Sequence, residues 1–117
     1  MNRRILYILL SLSFLLLALD RSAVYIHKPN ADSTNIVLYT TDWCHYCNSL
    51  RIHLENNSIP YTEHDTEKSI SGISGFWALR GRGIPVSVIG PKVIYGYDIN
   101  TINKQLIDLG YSIRLEE

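Results

Sequence analysis

The sequence predicts one α/β domain, a mixed four-stranded sheet flanked by helices, behind an apolar N-terminal segment. Two observations carry this. Short apolar runs and stretches of helical period follow one another as strand, helix, strand, helix, hairpin, helix. Of 117 residues, roughly 80 to 90 remain beyond the N-terminal segment, enough for one small core and too few for two. A strand–helix–strand unit joins parallel strands by a right-handed crossover, and a later hairpin makes the sheet mixed.

Residues 1–26 read as a signal peptide or an N-terminal membrane anchor. Arg3 and Arg4 give a positive end, Ile5 to Leu19 carries no charge over 15 residues, and Asp20 and Arg21 close the run. That length is short for a full span, which takes about 20 apolar residues, and suits a signal-peptide core. The cleavage pattern is poor, however, because Arg21 stands at −3 for cutting after Ala23 and Leu16 for cutting after Ala18. With either fate Arg3 and Arg4 stay in the cytoplasm, so the domain is expected on the periplasmic, non-cytosolic side of an inner membrane, anchored or exported after cleavage. Residues 27–34, polar and with Pro29, read as a linker.

The domain, residues 35–117, starts with a buried strand at Asn35–Thr40. A helix from about Cys44 to Asn57 follows, with Thr41 or Asp42 as its cap and Leu50 and Leu54 on its inner face. Ser58-Ile59-Pro60 turns the chain into a strand at Tyr61–Asp65. A second helix beginning near Thr66 carries Ile70, Ile73 and Trp77 at helical spacing, which assigns Trp77 to the core; Gly72 and Gly75 weaken that helix. Val86–Ile89 and Val93–Tyr95 form a hairpin around Gly90-Pro91. Asp98 caps a last helix with Ile99, Ile102, Leu106 and Leu109 in one stripe, ended by Gly110.

Eleven basic and eleven acidic residues cancel, which leaves no electrostatic footprint for nucleic acid. The chemistry concentrates in Trp43-Cys44-His45-Tyr46-Cys47, which holds the only two cysteines. A Cys-x-x-Cys pair at a strand-to-helix turn cycles between dithiol and disulfide. As a structural staple it would close too short a loop to constrain the unfolded chain. The same spacing is half a zinc site, but there is no second pair, and His45, His53 and His64 do not stand at ligand spacing. Cys44 at the helix start, where unpaired N–H groups stabilise an anion, is the expected nucleophile. Cys47, nearly a turn further and facing inward, is the expected resolving thiol.

Residues 35–117 resemble a glutaredoxin, of the thioredoxin superfamily. The resemblance rests on Tyr39-Thr40-Thr41-Asp42-Trp43-Cys44-His45-Tyr46-Cys47, Arg82-Gly83-Ile84-Pro85-Val86 and Gly96-Tyr97-Asp98, in the family's order. It implies a thioredoxin-like, glutaredoxin-type fold and a cis Pro85 facing the cysteines, with the Ile84 backbone open to a substrate strand. It also implies that the Gly96-Tyr97-Asp98 loop receives the γ-glutamyl end of glutathione at a helix start; Asp98 reads equally as a plain N-cap. Trp43 and Tyr46 are expected to shape the groove beside Cys44. Three positions depart from the family pattern: His45 replaces a proline and adds a titratable ring, Thr41 replaces a lysine, and Ile84 replaces a threonine. The last two changes remove polar grip on glutathione, as in redoxins served by a thioredoxin reductase.

The expected function is thiol-disulfide oxidoreduction on protein or small-molecule disulfides, with no bound metal or organic cofactor and with glutathione as a possible co-substrate. For a domain outside the cytosol the expected partner is a thiol reductant or membrane electron donor. The catalytic domain is expected to be monomeric. The alternative is an iron–sulfur or metal-binding module in which Cys44 is a ligand, and the retained Cys47 argues against it.

Overall fold

The computed structural model describes residues 2–27 and 33–114. Residues 28–32, most of the expected linker, lie outside the described residues, as do residues 115–117 at the end of the domain. The strands are β1 (Ile36–Thr40), β2 (Thr62–Asp65), β3 (Val86–Ile89) and β4 (Lys92–Tyr95), and the helices are α1 (Arg3–His27), α2 (His45–Asn56), α3 (Ile70–Ala78) and α4 (Ile99–Asp108). The sheet order is β2-β1-β3-β4. β1 runs parallel to β2 and antiparallel to β3, and β3 pairs antiparallel with β4. The mixed four-stranded sheet is therefore the one expected from the element order.

Alternation along β1 sorts the core into two faces. Ile36 and Leu38 meet Leu50 and Leu54 of α2 and Ile102 and Leu106 of α4. Val37 and Tyr39 point the other way, to Phe76, Leu79, Val86 and Val88 on the α3 side. Burying each of these aliphatic side chains contributes about 1.5–3 kcal/mol, and none of Leu38, Leu50, Leu54, Ile102 and Leu106 retains accessible surface.

Two helices differ from expectation. α3 starts later, at Ile70, because the Ser69 side chain accepts the Gly72 N–H and caps it. Its buried residues are Gly72, Gly75 and Ala78, so the expected core stripe is turned outward and Trp77 is 72% exposed. The reason is the tight approach of α3 to the sheet: a Cβ on Gly75 would collide with the Tyr39 ring. α1 is the other. It continues as helix for 25 residues, through His27, beyond the uncharged run and into the first residue of the expected linker. At 1.5 Å per residue it is about 37 Å long, against roughly 30 Å of bilayer hydrocarbon. It is long and apolar enough to cross a membrane, a test that a signal sequence also passes, and the apolar window of the span is unburied. Its last turns touch the domain, where the Arg80 guanidinium pairs with Asp20 at 3.2 Å.

The close approach at Gly75 gives a test. Helix propensity alone favours Gly75→Ala by about 1 kcal/mol, whereas overpacking against a buried ring costs about 1–3 kcal/mol. Urea unfolding of the full chain in detergent should show the variant destabilised; a gain in midpoint would contradict the packing.

Candidate active site

Cys44 is the N-cap of α2, in place of Thr41 or Asp42. Its Sγ accepts the Cys47 N–H at 3.1 Å, so a sulfur fills the capping role usually taken by an oxygen. The two cysteines form a disulfide with a Cα–Cα distance of 5.2 Å. Cys44 is 6% exposed and Cys47 0%, so of the pair only Cys44 reaches the surface. Among the described residues, no group of three or more His, Cys, Asp or Glu side chains is placed to hold a metal ion.

The turn leading to Cys44 is held on two sides. Arg51, in α2, pairs with Glu63 of β2: its Nε donates to both carboxylate oxygens, at 2.8 and 2.9 Å, and its Nη2 lies 2.7 Å from Oε1. Its Nη2 donates to Thr40 Oγ1 and to the Thr41 carbonyl, both at 3.2 Å, and Thr40 Oγ1 donates to Glu63 at 2.7 Å. From the other side Lys68 pairs with Asp42, and the Trp43 indole N–H donates to Glu67 at 3.1 Å. Lys68 holds the Asp42 carboxyl below the usual range, and Asp42 in turn raises Lys68. Burial pushes the Glu63 carboxyl up, but its bonds from Arg51 and Thr40 outweigh that and leave it lowered.

Opposite this turn stands the start of β3. Tyr39 pairs with Val86, which sets Pro85, buried and joined to Ile84 by a cis bond, beside the C-terminal end of β1 where the Cys44 turn begins. Ile84 is partly exposed. The Gly96 N–H donates to the Pro85 carbonyl at 2.8 Å, and Gly96 has φ of +77°, a conformation glycine adopts without strain. The Tyr97 ring then stacks on Tyr46 of α2 with centroids 5.7 Å apart. Asp98 caps α4, accepting the Thr101 N–H at 3.2 Å and the Thr101 hydroxyl at 2.6 Å, bonds that hold its carboxyl below the usual range.

The three sequence motifs thus lie at one end of the sheet, where β1 and β4 finish and β3 begins. Cys44, Cys47 and the His45 and Tyr46 between them open α2; Ile84 and Pro85 precede β3; Gly96, Tyr97 and Asp98 follow β4. Trp43 is 71% exposed, and His45 lies exposed beside Tyr46, ring centroids 5.8 Å apart. The Thr41 hydroxyl is buried and makes no hydrogen bond. Arg51 and Glu63 were not singled out by the sequence, and Thr40 only within the motif that runs to Cys47, since contacts across ten or more residues leave no local spacing signal. The only available hint was a charged residue in the short run that forms β2.

Residues 36–94, just over half of the chain, match the family model for glutaredoxin. The chain belongs to the glutaredoxin family. Its fold is that of solved relatives. A thioredoxin-like protein is 25% identical with a TM-score of 0.58, covering 62% of this chain and 100% of that one. A buckwheat glutaredoxin, solved as a glutathione complex, is 20% identical with a TM-score of 0.60, covering 77% and 88%. The glutaredoxin-like NrdH-redoxin of Escherichia coli, described as having a thioredoxin-like activity profile, is 21% identical with a TM-score of 0.55, covering 60% and 92%. No curated protein matches the sequence. The family, with the Cys44–Cys47 pair, makes this glutaredoxin a thiol-disulfide oxidoreductase of the thioredoxin fold.

The Arg51–Glu63 pair sets a pH dependence. Because the Glu63 carboxyl is lowered in the fold, its contribution is present above the ordinary carboxylate pKa of about 4.3 and is lost as pH falls through the folded value. Glu63→Gln should cost about 1–2 kcal/mol at pH 7 and little at pH 3. Denaturant titrations at both pH values check this; an equal loss at each would remove the ionised pair as the cause.

Proposed function

We propose that Cys44 is the attacking thiolate and Cys47 the resolving thiol in reduction or exchange of protein disulfides. The observation that carries this reading is the Cys47 N–H directed at Cys44 Sγ at the opening of α2. That donor and the helix dipole favour the anion, which lowers a thiol pKa. Cys44 thiolate displaces one sulfur of the substrate disulfide as a thiolate and forms a mixed disulfide. Cys47, deprotonated, then attacks Cys44 Sγ and releases the second substrate sulfur. Two electrons pass to the substrate, and the Cys44–Cys47 disulfide remains. Ile84 beside cis Pro85 offers its backbone to an incoming strand, while Trp43, His45, Tyr46 and Tyr97 border the groove.

Glutathione, bound in the buckwheat complex, fits the same chemistry as a co-substrate, with Gly96, Tyr97 and Asp98 at its γ-glutamyl end. The buried Thr41 and the apolar Ile84 give it less polar grip, so a dithiol donor suits the site better. With α1 retained as an anchor and Arg3 and Arg4 in the cytoplasm, the domain faces away from the cytosol and draws electrons from a membrane carrier or a thiol partner on that side. The domain works as a monomer and needs no bound cofactor.

Cys44→Ser should abolish turnover of an insulin or small-disulfide substrate, and Cys47→Ser should accumulate mixed disulfides on a thiol-trapping gel. Full activity in the Cys44 variant would refute the assignment. Turnover with glutathione, compared with turnover by a thioredoxin reductase system, decides the donor class. Labelling of terminal tags in intact cells decides the side of the membrane: a C-terminus labelled only after lysis would reverse it.

A further inference from the structure

The outward face of α3 is apolar although the sheet makes no use of it. Ile70 is 86% exposed, Ile73 47% and Trp77 72%, and offsets of three, four and seven residues put them on one stripe. The inner side of the helix is already filled by Gly72, Gly75 and Ala78 against the sheet. Three exposed side chains amount to roughly half of the ~800 Å² per partner that a stable protein interface takes, so a second copy is a poor occupant.

The C-terminal end of α3 meets α1. The two helices are in contact, Val24 shares a hollow with Ala78, Leu79 and Arg80, and Arg80 pairs with Asp20. Asp20 is the first charge after the uncharged run ending at Leu19. Asp20 therefore marks the headgroup side of the apolar run, and the ion pair sets Arg80 beside it. Trp77 stands one turn before it, accepting the Arg80 N–H at 3.1 Å through its carbonyl, and shares a second hollow with Arg80 and Arg82. An indole flanked by guanidinium groups and continuous with isoleucines has the character of an interfacial helix face.

We propose that the domain docks on the bilayer crossed by α1, with Ile70, Ile73 and Trp77 seated in the lipid interface and Arg80 and Arg82 at the phosphates. The inference rests on α1 being a retained anchor. It gives the redox site a fixed stance: Lys68 and Glu67, at the entry to α3, tie to Asp42 and Trp43 beside Cys44, so the cysteine end of the sheet is held close to the membrane surface, within reach of disulfides in membrane-bound chains.

The chain has two tryptophans, which makes the test direct. The full chain is reconstituted in phosphatidylcholine vesicles, plain or with acyl chains brominated near the headgroup. In a Trp43→Phe background, bromolipid should quench Trp77 emission about twofold or more, while in a Trp77→Phe background Trp43, outside the stripe, should be quenched less. Adding Ile70→Lys and Ile73→Lys, both exposed sites, should return Trp77 to the unquenched level while the protein still floats with the vesicles. Flotation without Trp77 quenching overturns the docking, with aqueous acrylamide then separating an indole in water from one covered by another protein. Failure to float overturns the anchor reading, and the docking with it.

Discussion

β1 is the strand on which the rest of the domain depends: like β3 it pairs on both edges, and it alone joins the parallel and the antiparallel parts of the sheet. β2 lies parallel on one side and β3 antiparallel on the other, and the alternating side chains of β1 serve both core faces. A strand so enclosed cannot slip by one residue without exchanging its two apolar faces. Its C-terminal end is therefore a fixed point. From that end the chain turns into Cys44, and beside it the Ile84–Pro85 segment enters β3. Two segments forty residues apart are set against each other by one register.

The turn between β1 and α2 could be loose, since its residues are short of regular pairing. It is held instead by charge-assisted bonds. Arg51 joins β2, the end of β1 and the turn carbonyl through one planar guanidinium, a geometry that a lysine ammonium does not reproduce. The Asp42–Lys68 and Trp43–Glu67 contacts add a second hold from the entry to α3, although exposed pairs of this kind contribute little to stability. Their effect is better understood as positioning: they fix where the α2 N-terminus points, and hence where the Cys47 N–H meets Cys44 Sγ.

α3 connects this chemistry to the N-terminal helix. Its inner face is made of residues small enough to let the helix lie close on the sheet, which leaves the large apolar side chains no place inside. The face they form lies on the helix whose C-terminal end α1 touches, and an ion pair between Asp20 and Arg80 joins the two. In the glutaredoxin frame this is an added feature, lying outside the three motifs that build the redox site.

The order and type of the elements, the mixed sheet, the Cys-x-x-Cys chemistry, the Asp98 cap and the glutaredoxin resemblance were all legible in the sequence, because each rests on local period, capping or spacing. The side on which α3 packs was not. Ile70, Ile73 and Trp77 carry a helical period without saying whether a core or something else receives it, and two glycines that look like helix weakeners are the packing surface. Nor did the sequence reveal Cys44 as its own cap or the Arg51–Glu63 hold on the turn. The side of α3 and the Arg51–Glu63 hold were decided by the tertiary structure, since they depend on distances between segments that only the register of β1 brings together, whereas the Cys44 cap is a local bond that a sulfur makes in place of the usual oxygen.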